Sequence, residues 1–148
     1  MKISTKGRYG LRALLDLAVH SGEDSVTLAQ IADRQEISVG YLEQIFSALR
    51  KAGVVVGTKG PQGGYVLGQP ANKTQVRKLL DVLEGDLFAI TEDRVQATDA
   101  AIMQDAIREH VWNRITGAAS QALDGLTLAD LEDAYEKAKL QDSYIFYI

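Results

Sequence analysis

A glycine-rich run that carries a cation, residues 58–68, follows directly after a pattern of two short helices, and this order restricts the fold more than any other feature of the chain. The run contains Lys59 and Gly60-Pro61-Gln62-Gly63-Gly64, and it lies between the β-prone stretches 54–56 and 65–67. Apolar or β-branched stretches on both sides of a glycine-containing turn favour a β-hairpin. The sequence therefore predicts a small hairpin next to a pair of helices.

The helix pair is predicted from its capping residues and its apolar stripe. Thr27 and Gln30 fit a capping box, so a short helix is expected over residues 28–34. After a turn at 35–37, Ser38 is a favourable N-cap for a second helix that reaches Ala52. The apolar stripe of this second helix consists of Leu42, Ile45, Phe46 and Leu49. Its other face is polar, as expected of a helix that packs on one side and binds on the other.

An earlier helix is predicted over residues 6–20, so the expected fold is mainly α with a small β-hairpin: a winged helix-turn-helix domain. Such a pair of helices presents the second helix to the major groove of DNA. Gly63 and Gly64 permit positive φ and a close approach of the backbone to a phosphate. Lys59 lies at the outer end of the hairpin, where it can enter a minor groove or meet a phosphate. An ordinary surface hairpin is the alternative.

The distribution of charge agrees with a DNA-binding first half. The chain has a net charge of -4. Residues 1–68 carry eight Lys and Arg against six Asp and Glu, whereas residues 69–148 carry eight against fourteen. Neutralising phosphates requires Lys and Arg. The balance predicts a small basic binding face on an acidic body.

Composition excludes several other classes of function. The chain has no cysteine, so disulfides, thiolate metal sites and cysteine nucleophiles are absent. No run approaches the roughly 18 apolar residues of a membrane span, and the first residues lack the apolar core of a signal peptide, so we expect a cytoplasmic protein. The glycines at 60–64 do not have the spacing of a nucleotide-binding loop. Nothing in the sequence indicates an enzyme.

A long helix is predicted over residues 99–123. Apolar positions recur there at intervals of three or four residues, namely Ile107, Val111, Ile115, Ala118 and Ala122. Such a helix has a length of roughly 37 Å at about 1.5 Å per residue. This is comparable with the ~34 Å between DNA half-sites one turn apart. We expect this helix to mediate homodimerisation; packing against the DNA-binding part of its own chain is the alternative.

Four motifs in order resemble the bacterial winged helix-turn-helix transcription regulators that include IscR, NsrR and CymR. They occupy residues 4–10, 41–46, 49–54 and 60–65. The resemblance covers essentially the whole chain and is most specific up to Gly68. It implies a homodimer that places two heads in successive major grooves of an operator. It also implies regulation, by repression, of genes of iron-sulfur cluster biogenesis or sulfur metabolism.

The resemblance also implies which residues contact DNA. Base-facing and phosphate-facing positions of the second helix are Ser38, Gly40, Tyr41, Glu43 and Gln44. Further DNA contacts are expected at Ser4, Lys6, Arg8, Thr27, Arg50, Lys51, Lys59, Gly60, Gly63 and Gly64. Gly40 stands where relatives often have a polar residue, so one phosphate contact is in doubt.

Cluster-binding members of this family carry three cysteines in the segment that corresponds to residues 87–112, here called the cysteine window. Alanines stand near those positions in this chain, at Ala89, Ala97 and Ala106. The chain most resembles an IscR-like regulator in which alanine replaces the three cysteine ligands. Its cysteine-bearing parent is expected to hold an iron-sulfur cluster of the 2Fe-2S type. A natural cluster-free regulator is the alternative. Glu109 and His110 are the candidates for a fourth ligand of the parent; an ordinary position on the helix surface is the preferred interpretation of His110.

The resemblance divides the chain into 1–84 (DNA-binding domain), 85–98 (sensor loop), 99–125 (dimerisation helix) and 126–148 (C-terminal helix and apolar tail). A helix is expected over 128–140, before the aromatic and aliphatic tail 143–148. We expect the tail to tuck against the body of the protein. The tail also resembles that of CymR, whose terminal isoleucine docks into cysteine synthase, so contact of Ile148 with that enzyme is the alternative. For the chain as a whole, the alternatives are a CymR-like cysteine regulator and an adaptor that binds an enzyme and no DNA.

Overall fold

The computed structural model of the chain describes residues 2–61 and 63–146, the last three of these by their backbone alone. It confirms a mainly helical fold with a small antiparallel hairpin. The helices are α1 (Thr5–His20), α2 (Leu28–Gln35), α3 (Val39–Lys51), α4 (Val76–Glu84), α5 (Thr98–Ile107), α6 (Asn113–Ala122) and α7 (Leu128–Phe146). The strands are β1 (Val55–Gly57) and β2 (Tyr65–Leu67).

The chain divides into two compact units. One unit runs to Gly85 and resumes at Leu126, and the other is Asp86–Gly125. The first unit contains the predicted helix pair, the hairpin, α4 and α7. Helix α7 belongs to it because Leu128 is fully buried in its core and Leu131 packs against that core.

The core of the first unit is built from one face of each helix. The predicted stripe of α3 is buried completely, since Leu42, Ile45, Phe46 and Leu49 are all 0% exposed. Its main neighbours in the core are Leu14, Leu17, Ile31, Val55, Leu79, Leu83 and Leu128. Burying a side chain of this size stabilises a fold by about 1.5–3 kcal/mol. The rotation of α3 about its axis is therefore fixed, and its polar face points away from the core.

The predicted capping residues stand at the N-termini of α2 and α3. Thr27 and Gln30 form a complete capping box, with the Thr27 amide donating to Gln30 Oε1 at 2.9 Å. Ser38 Oγ accepts from the Tyr41 amide at 3.2 Å at the start of α3. Gly53 follows α3 with φ of 76°, a conformation that glycine adopts without strain.

The end of the last helix was predicted wrongly. Helix α7 continues past Leu140 to Phe146. The aromatic composition of residues 144–146 suggested a tail, but no glycine or proline after Leu140 stops the helix. Tyr147 and Ile148 lie outside the described residues.

The second unit consists of a loop and a long helix. Helices α5 and α6 are joined by a π-helical turn, Arg108–Trp112, so the helical segment spans nearly the predicted range. The side chain of Gln104 holds the loop, since its Nε2 donates to the Asp93 carbonyl at 2.8 Å. Arg94 forms a two-bond ion pair with Asp105, whose pKa is lowered by that hydrogen bond.

Candidate nucleic-acid interface

Helix α3 presents two hydrogen-bonding side chains on its exposed face. Glu43 and Gln44 are both exposed, at the two positions that follow the buried Leu42. Ser38 and Gly40 are exposed at the start of the helix. A Cβ at Gly40 would meet nothing within 4 Å, so the position is open.

The hairpin is tied into the core of the first unit. Val55 pairs with Leu67, and Gly57 pairs with Tyr65. Tyr65 also exchanges backbone hydrogen bonds with Val26, at 2.8 and 3.0 Å. Strand β2 is therefore bonded on both edges at Tyr65, to β1 on one side and to Val26, just before α2, on the other.

The turn of the hairpin has the backbone conformation that its glycines permit. Gly63 and Gly64 have φ of 65° and 134°. The Thr58 amide donates to the Gly64 carbonyl at 2.9 Å and so closes the turn. Lys59 and Gly60 are exposed beyond this closure. We call β1, β2 and the residues between them the wing.

Two ring contacts join α1, α3 and the wing. Tyr9 in α1 contacts Tyr41 in α3, with ring centroids 5.9 Å apart. Phe46 in α3 contacts Tyr65 in β2, with centroids 5.0 Å apart. Tyr41 is half-buried by this packing. The elements that carry the predicted DNA contacts thus form one packed head.

The remaining predicted contacts lie at helix ends. Arg50 and Lys51 are exposed in the last turn of α3, where cations interact favourably with the helix dipole. Arg8 is exposed near the start of α1. Lys6 is half-buried, as is Thr27, whose hydroxyl accepts from the Gln30 amide in the capping box. The hydroxyl of Ser4 is also engaged: it accepts from the Gly7 amide and donates to Glu84.

A buried carboxylate braces α1 against α2. The side chain of Asp16 is 0% exposed and accepts hydrogen bonds from the Arg34 guanidinium at 2.8–3.2 Å. This hydrogen bond raises the pKa of Arg34. Gln35 Nε2 also donates to Asp16, at 2.9 Å. Because the Asp16 carboxylate is paired and hydrogen-bonded, its burial does not carry the large desolvation penalty of an unpaired charge.

Sequence reasoning missed two features of this head. The Asp16 brace has a recognisable signal, because the acid lies between the buried Ala13, Leu14 and Leu17 in the apolar stripe of α1. The contact between Ser4 and Glu84 has none, since 80 residues separate the partners.

The cysteine window does not fit an iron-sulfur cluster. Ala89, Ala97 and Ala106 carry no ligand atom. Glu109 and His110 are exposed, on the π-helical turn. Nowhere in residues 2–61 and 63–146 do three or more His, Cys, Asp or Glu side chains form a group able to hold a metal ion. Trp112 Nε1 is buried and finds no hydrogen-bond partner among the described residues, but an indole N–H only donates and is no metal ligand.

None of the helices within residues 2–61 and 63–146 combines the length and the apolar character needed to cross a bilayer.

One protein family and several known transcriptional regulators match most of the chain. The family described as "Rrf2: Iron-dependent Transcriptional regulator" matches residues 3–134. The transcriptional regulator IscR of Photobacterium profundum is 40% identical over 137 residues, 88% of this chain and 75% of that protein. The transcriptional regulator CymR of Bacillus subtilis is 37% identical over 148 residues, 100% of both chains.

Solved structures of two such regulators resemble the fold. That of B. subtilis CymR, described as the global cysteine regulator, superposes with a TM-score of 0.76 at 38% identity, covering 90% of this chain and 98% of that one. That of T. potens IscR superposes with a TM-score of 0.72 at 38% identity, covering 93% and 90%.

Proposed function

This chain belongs to the Rrf2 family of helix-turn-helix transcriptional regulators, and we propose that two copies of it bind a palindromic DNA operator through α3, the wing and the start of α1. Its relatives are transcriptional regulators and not enzymes, as the sequence predicted. They also favour a DNA-binding protein over an adaptor that binds no DNA.

The observation that carries this proposal is the fixed exposure of Glu43 and Gln44. The opposite face of α3 is fully buried, so these side chains cannot turn into the core. Gln44 has the two-pronged amide that pairs with adenine in the major groove, and Glu43 can accept from cytosine N4. An acid at this position repels phosphate in a wrongly placed complex, so Glu43 also rejects other sequences.

The wing and the cations position this helix on the duplex. Lys59 meets a phosphate or enters the minor groove, while Gly63 and Gly64 allow the backbone amides to approach the phosphates. Arg50 and Lys51, exposed at the other end of α3, add phosphate contacts. These contacts supply affinity, and the base-facing side chains supply specificity.

The long helix of the second unit is the proposed dimerisation surface. It exposes a row of large apolar side chains: Ile102 at 63%, Met103 at 59%, Ile107 at 46%, Val111 at 40% and Ile115 at 48%. Leaving this area in water is unfavourable, and a symmetric contact between two copies would bury it. The division of roles among residues 1–84, 85–98, 99–125 and 126–148 is part of this proposal.

We further propose that the regulator represses genes of iron-sulfur cluster biogenesis or sulfur metabolism in a cluster-free form. The family is described as iron-dependent and B. subtilis CymR as a global cysteine regulator, which supports this choice of genes. The alanines at 89, 97 and 106 offer no thiolate, so control of DNA binding in this chain does not use a cysteine-ligated cluster.

In vitro selection from a random duplex library tests the proposal directly. The wild-type chain should enrich a two-fold symmetric sequence with half-sites about one helical turn apart. Lys59→Ala should weaken binding to all duplexes and lower the salt slope by about one unit, because one phosphate contact is lost. Lys139→Ala, on the exposed part of α7, is the matched control and should leave the slope unchanged. Failure of the wild-type chain to enrich any symmetric sequence would refute the proposal.

Two narrower points have separate tests. Restoring cysteine at positions 89, 97 and 106 and reconstituting with iron and sulfide under anaerobic conditions should give visible charge-transfer absorption if this window descends from a cluster site. Contact of Ile148 with cysteine synthase stays a prediction, since that residue lies outside the described ones. Deleting Ile148 without any change in binding to cysteine synthase would eliminate it.

A further inference from the structure

Glu84, the last residue of α4, holds the start of α1. Its Oε1 accepts hydrogen bonds from the Ser4 amide at 2.9 Å and from the Ser4 hydroxyl at 2.7 Å. The same hydroxyl caps α1 by accepting from the Gly7 amide at 3.2 Å. One carboxylate oxygen therefore fixes both the backbone and the side chain of the residue at which α1 begins.

Two glycines bring α1 close to the end of α4. A Cβ added at Gly7 would lie 2.8 Å from Glu84 Cδ and closer still to Oε1. One turn further along, a Cβ at Gly10 would lie 2.7 Å from Leu83 Cδ1. Side chains at these positions would displace α4 or the Glu84 carboxylate. The first two turns of α1 are thus fitted to α4, and Glu84 is the polar end of that fit.

We infer that Glu84 is a positioning residue for DNA binding: it holds Ser4 and the first turn of α1 so that Lys6 and Arg8 meet the phosphate backbone. The inference rests on the proposed DNA-binding function. Arg8 is exposed; its backbone amide donates to the Ser4 carbonyl at 3.1 Å and its guanidinium to Thr5 Oγ1 at 3.1 Å, so Arg8 is tied to the residues at which α1 begins.

The sign of the effect separates positioning from simple electrostatics. A carboxylate near DNA repels phosphate, so removal of its charge alone tightens binding. Removal of a positioning contact weakens binding, because Lys6 and Arg8 then have to be ordered at each encounter. The carboxylate also lies at the N-terminus of α1, where a negative charge interacts favourably with the helix dipole.

The test measures the salt dependence of binding to the duplex that the wild-type chain selects in vitro. Glu84→Ala should weaken binding about tenfold at moderate salt and lower the salt slope by one to two units, as expected for the loss of one or two phosphate contacts. Glu84→Gln should keep the wild-type slope, because its amide oxygen still accepts both hydrogen bonds from Ser4. Asp81→Ala removes an exposed acid one turn earlier in α4 and should bind as well as the wild type or slightly more tightly.

A second variant covers the case in which Glu84→Ala fails to fold. Ser4→Ala removes the hydroxyl from the other side of the contact, together with the cap of α1, and should lower the salt slope in the same direction. A hydroxyl is uncharged, so the loss of a direct contact between Ser4 and DNA would weaken binding without lowering the slope. A lowered slope in either variant, with the wild-type slope kept in Glu84→Gln, supports the inference. An unchanged slope in a folded Glu84→Ala, or in Ser4→Ala if that variant alone folds, overturns it. Failure of the wild-type chain to select any duplex would instead count against the proposed function.

Discussion

The ring of Tyr9 in α1 meets the ring of Tyr41 in α3 edge to face, with centroids 5.9 Å apart and planes at 89°. The Arg12 guanidinium lies over the Tyr9 ring at 5.2 Å from its centroid. Tyr41 is in the first turn of α3, directly before the buried Leu42. The contact therefore fixes the start of the proposed recognition helix against the helix that carries Lys6 and Arg8.

Tyr9→Ala should weaken DNA binding about threefold to tenfold and lower the free energy of unfolding by about 1–3 kcal/mol. An edge-to-face pair contributes about 0.5–1.5 kcal/mol beyond its buried area, and the buried part of the ring is lost as well. Tyr9→Phe keeps the ring and should stay close to the wild type in both respects. Fluorescence anisotropy on the selected duplex and urea unfolding measure the two quantities. Wild-type values for Tyr9→Ala would show that the ring contact does not order α3.

Arg34→Ala should destabilise the fold more than Asp16→Ala does. Removing Arg34 leaves a fully buried carboxylate without its main partner, which costs about 3–5 kcal/mol in comparable pairs. Removing Asp16 leaves an arginine whose side chain is 33% exposed and can turn into water. Chemical denaturation of both variants checks the order.

Lys78→Ala, which removes an exposed cation from α4, is the matched control and should change stability by less than about 0.5 kcal/mol. Equal losses in Arg34→Ala and Asp16→Ala would contradict the brace as described.

The helix pair was predictable because its determinants are local. Thr27 and Gln30 lie within one helical turn, and the stripe from Leu42 to Leu49 repeats within one helix, so capping and burial can be read from neighbouring residues. The wing was predictable for the same reason, since its two strands are joined by a short glycine turn.

Contacts between distant residues were not predictable from the sequence. The sequence places α4 within the DNA-binding domain, residues 1–84, but does not predict that it is a helix. The Ser4–Glu84 contact depends on how α4 returns to α1, and a single sequence does not encode that pairing in any local pattern. The contacts of Arg94 with Asp105 and of Gln104 with Asp93 each join residues that are 11 positions apart, across a loop whose path no local pattern predicts.

Gly68→Ala should destabilise the wing. A Cβ there would collide with the Gly53 carbonyl oxygen and lie 3.3 Å from the Gly53 carbonyl carbon, and backbone atoms cannot move aside as a flexible side chain can. The Gly68 amide also donates to the Val54 carbonyl at 2.8 Å, so the base of the hairpin would shift. We expect a loss of about 1–3 kcal/mol, the usual range for overpacking.

Gly40→Ala is the matched control for this substitution. Gly40 is helical and faces open space, so alanine there should stabilise α3 by about 0.5–1 kcal/mol. Thermal unfolding monitored by circular dichroism compares the two variants. A stable Gly68→Ala would mean that the hairpin base is less tightly packed than the structure describes.

Glu132→Gln should raise the melting temperature at pH 7. Burial, and then the neighbouring Asp133 and Glu136 carboxylates, raise the pKa of Glu132. An acid with a raised pKa in the folded state binds its proton more tightly when folded, so its ionisation at neutral pH is destabilising. The gain should shrink as the pH falls through the raised pKa towards the ordinary value of about 4.3, where the acid is protonated in both states.

Asp142→Asn is the control for this pH dependence. It neutralises an exposed acid in the same helix, so its melting temperature should follow that of the wild type across the same range. A gain in Glu132→Gln that persists unchanged at pH 3 would contradict the assigned cause.

The central claim is that Glu43 on the exposed face of α3 reads DNA sequence, and selection with Glu43→Ala tests it most directly. The wild-type chain and the variant are each used to enrich duplexes from the same random library, at the same salt concentration. The account predicts that both enrich a two-fold symmetric site, and that Glu43→Ala tolerates additional bases at one position of each half-site, where the wild type demands one. Identical preferences for the two proteins would contradict it.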